Sequence, residues 1–198
     1  EVYVELYKNN SLLETYNQEL SFSSDQASFE INIEINSELS KYSVKTYAIN
    51  NAEAAMIKEA EDIVCGDVFI VQGQSNAEAP SYNGSSSGYE SDFIRVYANG
   101  NSSSSSVINN NQWYYGQGDG NSGTNGNTGQ WGLVLAKKLV DELNIPIAIF
   151  NGAHGGQPIS FFQRPANYQS STNSNYGRLY YRLNKSGLKS YVRGVLWS

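Results

Sequence analysis

Two kinds of hydrophobic pattern follow one another along the chain. In about the first sixty residues apolar and polar side chains alternate, over 2–6, over 29–35 and again over 42–48, which predicts short strands with one buried face. Turn-forming residues such as those from Lys8 to Ser11 separate these runs. Strands at this spacing are typical of an antiparallel sandwich, although they are too few for a complete one. The polar stretch from Ala52 to Asp62 is predicted to be a connector with some helical character.

From residue 63 onward, continuous apolar runs alternate with segments of helical spacing. The runs predict buried strands, and the spaced segments predict helices over 131–143 and 179–188. The predicted strands are 67–71, 93–97, 145–150 and 192–197. Strands that alternate with helices predict a parallel sheet covered on both faces. We therefore divide the chain into a β-rich segment over 1–62, part of a sandwich-like module, and an α/β domain over 63–198.

Charge and composition exclude several classes of protein. With 13 Lys and Arg against 19 Asp and Glu, the formal net charge is −6, which argues against a nucleic-acid binder because such a protein needs a basic face. No apolar stretch approaches the roughly 18 residues of a membrane span. Cys65 and His154 are the only residues of their types, so we expect no disulfide framework, no multi-cysteine zinc site and no His-rich metal centre. We also expect no other metal site and no cofactor.

The composition also bears on where the protein works. Loops rich in Asn, Ser and Gly, together with only 16% charged residues, fit a secreted or cell-surface bacterial protein better than a cytosolic enzyme. The chain begins at Glu1 without a start methionine and runs straight into a strand-like alternation. It therefore reads as a processed or cut piece of a longer protein.

A serine follows the first buried strand, in Gly73-Gln74-Ser75-Asn76. Ligands of parallel α/β sheets bind beyond the carboxyl ends of the strands. A serine on a sharp, glycine-started turn there would expose its hydroxyl and aim its backbone N–H at the same point, supplying a nucleophile and half an oxyanion hole. The alternative, which the tetrapeptide alone favours, is a turn in which Ser75 caps the following helix.

A paired glycine follows the second buried strand, in the stretch from Asn151 to Ile159. Gly155 and Gly156 would let the backbone approach a substrate and present an N–H to a developing oxyanion. A tight connecting loop is an equally common interpretation of such a stretch. Two such loops at the ends of two strands of one sheet make the joint interpretation stronger than either part.

Three blocks of sequence resemble one enzyme family. The residues from Gly66 to Asn76, which end in Gly-Gln-Ser-Asn, resemble the first block of the sialate O-acetylesterase-like carbohydrate esterases, a branch of the SGNH hydrolase superfamily. The run from Gly155 to Ile159 resembles their Gly-Gly-Thr-Pro-Ile block, with Gln157 in place of Thr. The run from Gly194 to Trp197 resembles the start of their third block. The resemblance covers about residues 63–198 and implies a three-layer α/β/α fold.

The resemblance also implies a mechanism. Ser75 would attack an acetyl carbonyl, and its N–H together with that of Gly156 or, less favoured, Gly155 would hold the oxyanion. Gln74, Asn76, His154 and Gln157 would contact the substrate. The family's third-block Gln and its Asp-x-x-His pair do not occur in these 198 residues. The remainder of its own chain would therefore supply the general base, and this piece alone would be inactive.

His154 is the alternative base, because it lies on the loop that neighbours the serine turn. The family places its base on a late loop, and no carboxylate nearby in sequence would orient the His154 ring. We therefore expect His154 to line the pocket or the loop.

Smaller features carry weaker expectations. Asp119, Asn121 and Asn125 resemble alternating calcium ligands, but no closing Glu follows at the right offset, which favours a solvated loop. The aromatic run Trp113-Tyr114-Tyr115 could stack on sugars or anchor a long loop. Arg164 could meet a substrate carboxylate, although a surface ion pair is the more common role, and Cys65 is expected to be an inert thiol.

Two functions from different classes are therefore expected. The first is a serine-dependent O-acetyl esterase that removes acetyl groups from acetylated sugars or polysaccharides. The second is a non-catalytic carbohydrate-binding or cell-surface structural module that retains the esterase fold.

Overall fold

The chain forms two sheets, one in each of two units. The structure, a computed structural model, describes residues 1–50, 53–81, 84–99 and 102–198. The units are Glu1–Cys65 and Gly66–Ser198. The architecture is therefore mixed, with an all-β unit followed by an α/β unit.

The first unit contains a four-stranded antiparallel sheet in the order β2-β1-β3-β4. Its strands are β1 (Val2–Lys8), β2 (Ser11–Gln18), β3 (Tyr42–Asn50) and β4 (Glu53–Ile63). Alternation in β1 buries Val2, Val4 and Leu6 on one face. On the other face Tyr3 stacks on its cross-strand neighbour Tyr47, with ring centroids 4.6 Å apart.

Two predictions for this unit are wrong. Residues 29–35 form no strand, although Ile31, Ile33 and Ile35 are half-buried and the residues between them are exposed. The alternation over 29–35 therefore corresponds to one half-buried side of the segment. The segment forms no hydrogen-bonded ladder with a partner strand among the described residues. The predicted connector over 52–62 is instead strand β4, apart from residue 52, which lies outside the described residues. Since β4 lies at the edge of the sheet and is mostly exposed, its polar composition carries no strand signal.

The second unit contains a five-stranded sheet in the order β7-β6-β8-β5-β9. Its strands are β5 (Asp67–Gln72), β6 (Ile94–Tyr97), β7 (Trp113–Tyr115), β8 (Ile147–Asn151) and β9 (Val192–Trp197). Strands β6, β8, β5 and β9 are parallel, and β7 pairs antiparallel with β6 at one edge. The predicted, mainly parallel sheet is thus confirmed, with the addition of an antiparallel edge strand.

Two longer helices cover the sheet, one on each side. The helices of the unit are α1 (Ser75–Glu78), α2 (Ser104–Ile108), α3 (Gln130–Leu143) and α4 (Asn175–Lys185). Side chains of α3 pack with Val71 of β5 in one core cluster. Those of α4 pack with Val68 and Ile70 of the same strand in another. Because successive residues of β5 point to opposite faces, both faces of this interior strand are buried, which explains its continuous apolar sequence.

Candidate active site

Ser75 lies just beyond the carboxyl end of β5, an interior strand of the sheet. Strand β5 ends at Gln72, and Ser75 is the first residue of the short helix α1. The residue at the helix cap is Gln74, whose side chain makes no capping hydrogen bond, so the interpretation of Ser75 as a cap is wrong. The Ser75 residue is half-buried. Among the described residues, the Ser75 hydroxyl is therefore not engaged in capping α1.

The turn before Ser75 requires glycine for two reasons. Gly73 has a φ of +135°, and a Cβ on it would lie 1.9 Å from the carbonyl oxygen of Ser198. That carbonyl accepts the N–H of Gln74 at 3.0 Å, and the N–H of Ser198 donates to Gln72 O at 3.2 Å. The end of β9 therefore closes over the turn that carries Ser75.

The second loop follows β8, the neighbour of β5, and its backbone is held tightly. The N–H groups of residues 152–155 each have an acceptor within the unit. In order, the acceptors are Val71 O at 2.8 Å, Asn151 Oδ1 at 2.9 Å, Gly73 O at 3.0 Å and Glu78 Oε2 at 2.7 Å. Gly156 is the first residue of the loop whose N–H has no acceptor among the described residues. It is exposed and has a φ of +75°.

The structure brings Gly155, the first of the paired glycines, next to the serine. A Cβ on Gly155 would lie 3.5 Å from Ser75 Cβ, so no side chain separates the two backbones. The side-chain amide of Gln74 donates to the carbonyl oxygen of Gln157, which fastens the far end of the loop to the serine turn. Asn76 is exposed, and its carbonyl oxygen accepts the indole N–H of Trp131 at 2.6 Å. Gln74 and Gln157, predicted as substrate contacts, are thus also contacts between the two loops.

His154 sits in the loop with its ring directed towards an aromatic side chain. The ring centroid lies 5.4 Å from that of Phe161. Its Nδ1 atom is buried without a hydrogen-bond partner among the described residues. In the described part of the chain, no hydrogen bond joins His154 to Ser75.

A buried amide at the end of β8 connects several parts of the site. Asn151 is completely buried. Its Nδ2 donates to Thr128 O at 2.9 Å and to Ala77 O at 3.3 Å, and its Oδ1 accepts the Ala153 N–H. This one side chain therefore holds α1, the turn before α3 and the second loop together.

A second buried amide pair links the serine turn to α4. Gln72 Nε2 donates to Asn175 Oδ1 at 2.9 Å, and Asn175 Nδ2 donates to Gly152 O at 2.8 Å. Gln72 Oε1 accepts the Gly73 N–H at 3.3 Å. A Cβ on Gly152 would come within 3.2 Å of the Gln72 side chain, so glycine is needed for this close approach.

A fully buried arginine on α4 braces the strand ends. Arg182 Nε donates to Tyr97 O at 3.0 Å and Nη1 donates to Asn151 O at 2.8 Å. Its guanidinium carbon lies 5.3 Å from the centre of the Phe150 ring. Burial lowers the pKa of Arg182 to about 9, so the group stays protonated at neutral pH.

Two carboxylates hold the glycine-rich loop, and the sequence revealed neither function. Glu78 Oε1 accepts the Ser122 N–H at 2.9 Å, while its Oε2 binds the Gly155 N–H. Asp119 accepts the N–H and hydroxyl of Ser86 and the side-chain amide of Gln130. Hydrogen bonds from the Ser85 hydroxyl and these donors lower the pKa of Asp119 to about 2. The loop is therefore anchored by Asp119, where the sequence favoured a solvated loop.

The remaining candidate residues have mainly local contacts. Trp113 packs edge-on against Tyr97 and Phe150 but is 44% exposed. Arg164 lies 5.4 Å from the Tyr168 ring centre. Cys65 is a half-buried free thiol.

The described residues contain neither a cluster of metal ligands nor a membrane-spanning helix. Across 1–50, 53–81, 84–99 and 102–198, no group of three His, Cys, Asp or Glu side chains is placed to hold a metal ion. Nor does any helix in those ranges have the length and apolar character to cross a bilayer.

Solved structures resemble this fold, although no known protein-family profile and no curated protein matches the sequence. A novel carbohydrate acetylesterase from Xanthomonas citri aligns with 99% of this chain at 16% identity and a TM-score of 0.52. A protein from Arabidopsis thaliana aligns with 66% of this chain and 56% of its own, at 18% identity and a TM-score of 0.46. This chain spans 44% of the length of the acetylesterase. In architecture, the chain is therefore similar to a carbohydrate esterase.

Proposed function

We propose that the protein is a carbohydrate O-acetyl esterase with Ser75 as its nucleophile. The observation that carries the proposal is the meeting of two loops at the carboxyl ends of adjacent parallel strands. One loop bears Ser75, and the other bears Gly156, whose backbone N–H has no acceptor among the residues that the structure describes. The likeness of the fold to a carbohydrate acetylesterase supports this class of reaction, and the three sequence blocks support the SGNH branch with its three-layer architecture.

In the proposed reaction Ser75 Oγ attacks the acetyl carbonyl carbon and gives its proton to a general base. The N–H groups of Ser75 and Gly156 stabilise the oxyanion of the tetrahedral intermediate. The sugar oxygen then leaves with the proton, and water hydrolyses the acetyl-serine to acetate. Gly155 is not a donor in this proposal because its N–H is bound to Glu78. Gln74, Asn76, His154 and Gln157 would border the bound sugar.

The base is proposed to lie outside these 198 residues, as an Asp-x-x-His pair elsewhere in the same polypeptide. His154 makes no hydrogen bond to Ser75 in the described part of the chain, which supports this assignment over His154. Turnover by the 198-residue chain alone should then be lower by several orders of magnitude than in a protein that carries the pair. The setting we propose is extracellular, at or beyond a bacterial cell surface.

The assignment of Ser75 is tested by covalent labelling with a fluorophosphonate probe in the intact gene product. Labelling and hydrolysis of an aryl acetate should both disappear in Ser75→Ala. The control is Ser160→Ala, since Ser160 is an exposed serine just beyond the second loop. Labelling that persists in Ser75→Ala would refute the assignment.

The assignment of Gly156 has a matched control at the end of α4. Gly156 and Gly187 have φ values of +75° and +77°, and a Cβ on either would meet nothing within 4 Å. Alanine should therefore cost each site about 1 kcal/mol of stability through backbone strain. Only Gly156→Ala should also lower kcat, by about 10²–10³, because it displaces an oxyanion donor. Equal kcat values in the two variants would leave the second loop a purely architectural role.

A second candidate function is a non-catalytic carbohydrate-binding module. It is favoured by the lack of a base next to Ser75 among the described residues. Calorimetric titration of the intact gene product with an acetylated oligosaccharide separates the two functions. Binding without release of acetate would support the module and would remove the esterase proposal.

A further inference from the structure

Glu78 binds the residue that precedes the proposed oxyanion donor, and the proposed reaction does not use it. It is the last residue of α1, three residues after Ser75, and it is half-buried. Its two carboxylate oxygens accept two backbone N–H groups from separate loops, at 2.7 Å from Gly155 and 2.9 Å from Ser122. Among the described residues no cation pairs with it, so these two amides are its principal partners.

The chemistry of the contact suits a carboxylate. An ionised carboxyl group only accepts hydrogen bonds, and it binds backbone N–H groups more strongly than a neutral oxygen does. The distance to Gly155 lies at the short end of the range for such bonds. A neutral amide in the same place would direct its own N–H groups at one of the two donors, and that bond would be lost.

The effect of the contact falls on the next peptide group. The Glu78 contact holds the peptide group that carries the Gly155 N–H, and the Gln74 side chain holds the Gln157 carbonyl oxygen on the other side. The peptide group that carries the Gly156 N–H lies between these two held groups, so Glu78 limits its direction from one side. Gly156 itself provides no restraint, because it is an exposed glycine whose missing Cβ would meet open space. Glu78 is thus the last anchor before the unengaged donor.

We propose that Glu78 is a positioning residue that holds the Gly155 N–H and thereby presets the Gly156 N–H for the oxyanion. The inference rests on the proposed esterase function. A displaced donor costs rate even when it is still present, since a misplacement of about 1 Å can lower a rate 10²-fold. Glu78→Gln, which keeps the size of the side chain, should therefore lower kcat about 10- to 100-fold and leave KM within about twofold.

The experiment has one arm that does not depend on activity. Amide hydrogen exchange by NMR on the intact gene product should show protected Gly155 and Ser122 N–H groups, and Glu78→Gln should remove that protection. The matched control is Glu142→Gln, an exposed carboxylate near the end of α3. Its exchange pattern should equal that of the wild type.

The second arm measures kcat and KM for an aryl acetate with the intact gene product, at a temperature where each variant is fully folded. Lost amide protection together with a lowered kcat and an unchanged KM is the expected result. Unchanged protection, or lost protection with an unchanged kcat, overturns the proposal, and the latter result assigns Glu78 a merely structural role. If the wild type itself releases no acetate, the proposed function fails, and the positioning role fails with it for that separate reason.

Discussion

Removal of the Asn151 side chain tests whether the site depends on specific hydrogen bonds or only on filled volume. The side chain makes three hydrogen bonds at 2.9–3.3 Å and is completely buried. A net contribution of about 0.5–1.5 kcal/mol for each bond gives a loss of about 1.5–4.5 kcal/mol for Asn151→Ala. The stranded N–H of Ala153 favours the upper half of that range.

The isosteric variant Asn151→Asp gives the sharper result. It removes no volume, but it aims a carboxylate oxygen at the carbonyl oxygens of Ala77 and Thr128 instead of an N–H donor. It also buries a charge at a residue whose main-chain carbonyl oxygen, rather than its side chain, binds the Arg182 guanidinium. We therefore expect Asn151→Asp to lose at least as much stability as Asn151→Ala.

The measurement is urea unfolding followed by tryptophan fluorescence. The three tryptophans, Trp113, Trp131 and Trp197, all lie in the second unit, so the signal reports on that unit alone. The control is Asn184→Ala, at an exposed position of α4, and it should stay within about 0.5 kcal/mol of the wild type. If Asn151→Asp at neutral pH also stays within that limit, the hydrogen-bond argument is wrong.

Three further predictions concern the same unit. The pKa of Asp119 is lowered to about 2 in the folded state from an ordinary 3.8, so its stabilising contribution is complete above pH 4 and is lost between about pH 4 and pH 2. The difference in urea midpoint between the wild type and Asp119→Asn should therefore shrink over that range. A difference that stays constant would contradict this prediction. Gly66→Ala should abolish or greatly weaken folding because its Cβ would lie 1.8 Å from Pro146 O, whereas Gly88→Ala, which has open space, should be nearly neutral by thermal melting. Ser174→Ala should cost about 1 kcal/mol in the same assay, because the Ser174 side chain caps α4 through the Gly177 N–H; a smaller effect than that of Gly88→Ala would argue against the cap.

The parts of the fold that sequence predicted best are those where one local cause dominates. The apolar runs of β5 and β8 and the helical spacing of α3 are dictated by burial on one or both faces, so the pattern alone suffices. Strand β4 was missed because an exposed edge strand is held by its ladder with β3 rather than by apolar side chains. The start of α4 was placed four residues late, since its first turn carries polar residues that are buried by tertiary contacts, such as Asn175.

In the candidate site too, some residues can be predicted from local sequence and others cannot. Ser75 and the glycine pair were visible because each follows a recognisable strand in the sequence. The role of Glu78 cannot be predicted in this way, because its partner amides lie 44 and 77 residues away along the chain. Its sequence neighbours give no sign that its carboxylate binds backbone N–H groups. Asn151 and Asn175 were invisible for the same reason. The role of a buried amide side chain depends on hydrogen-bond partners that only the folded structure brings next to it.

The position of β5 in the sheet has a consequence for how the protein is made. Its two neighbours, β8 and β9, come late in the chain, and the first parallel partner of Asp67 is Ile147, about 80 residues further on. At about 5–20 residues per second, the ribosome needs about 4–16 s to synthesise that partner. During this time the apolar strand β5 has two unpaired edges, a state prone to association with other nascent chains. The turn that carries Ser75 gains its contacts with Ser198 later still, so this turn is held in place only after β9 has been made.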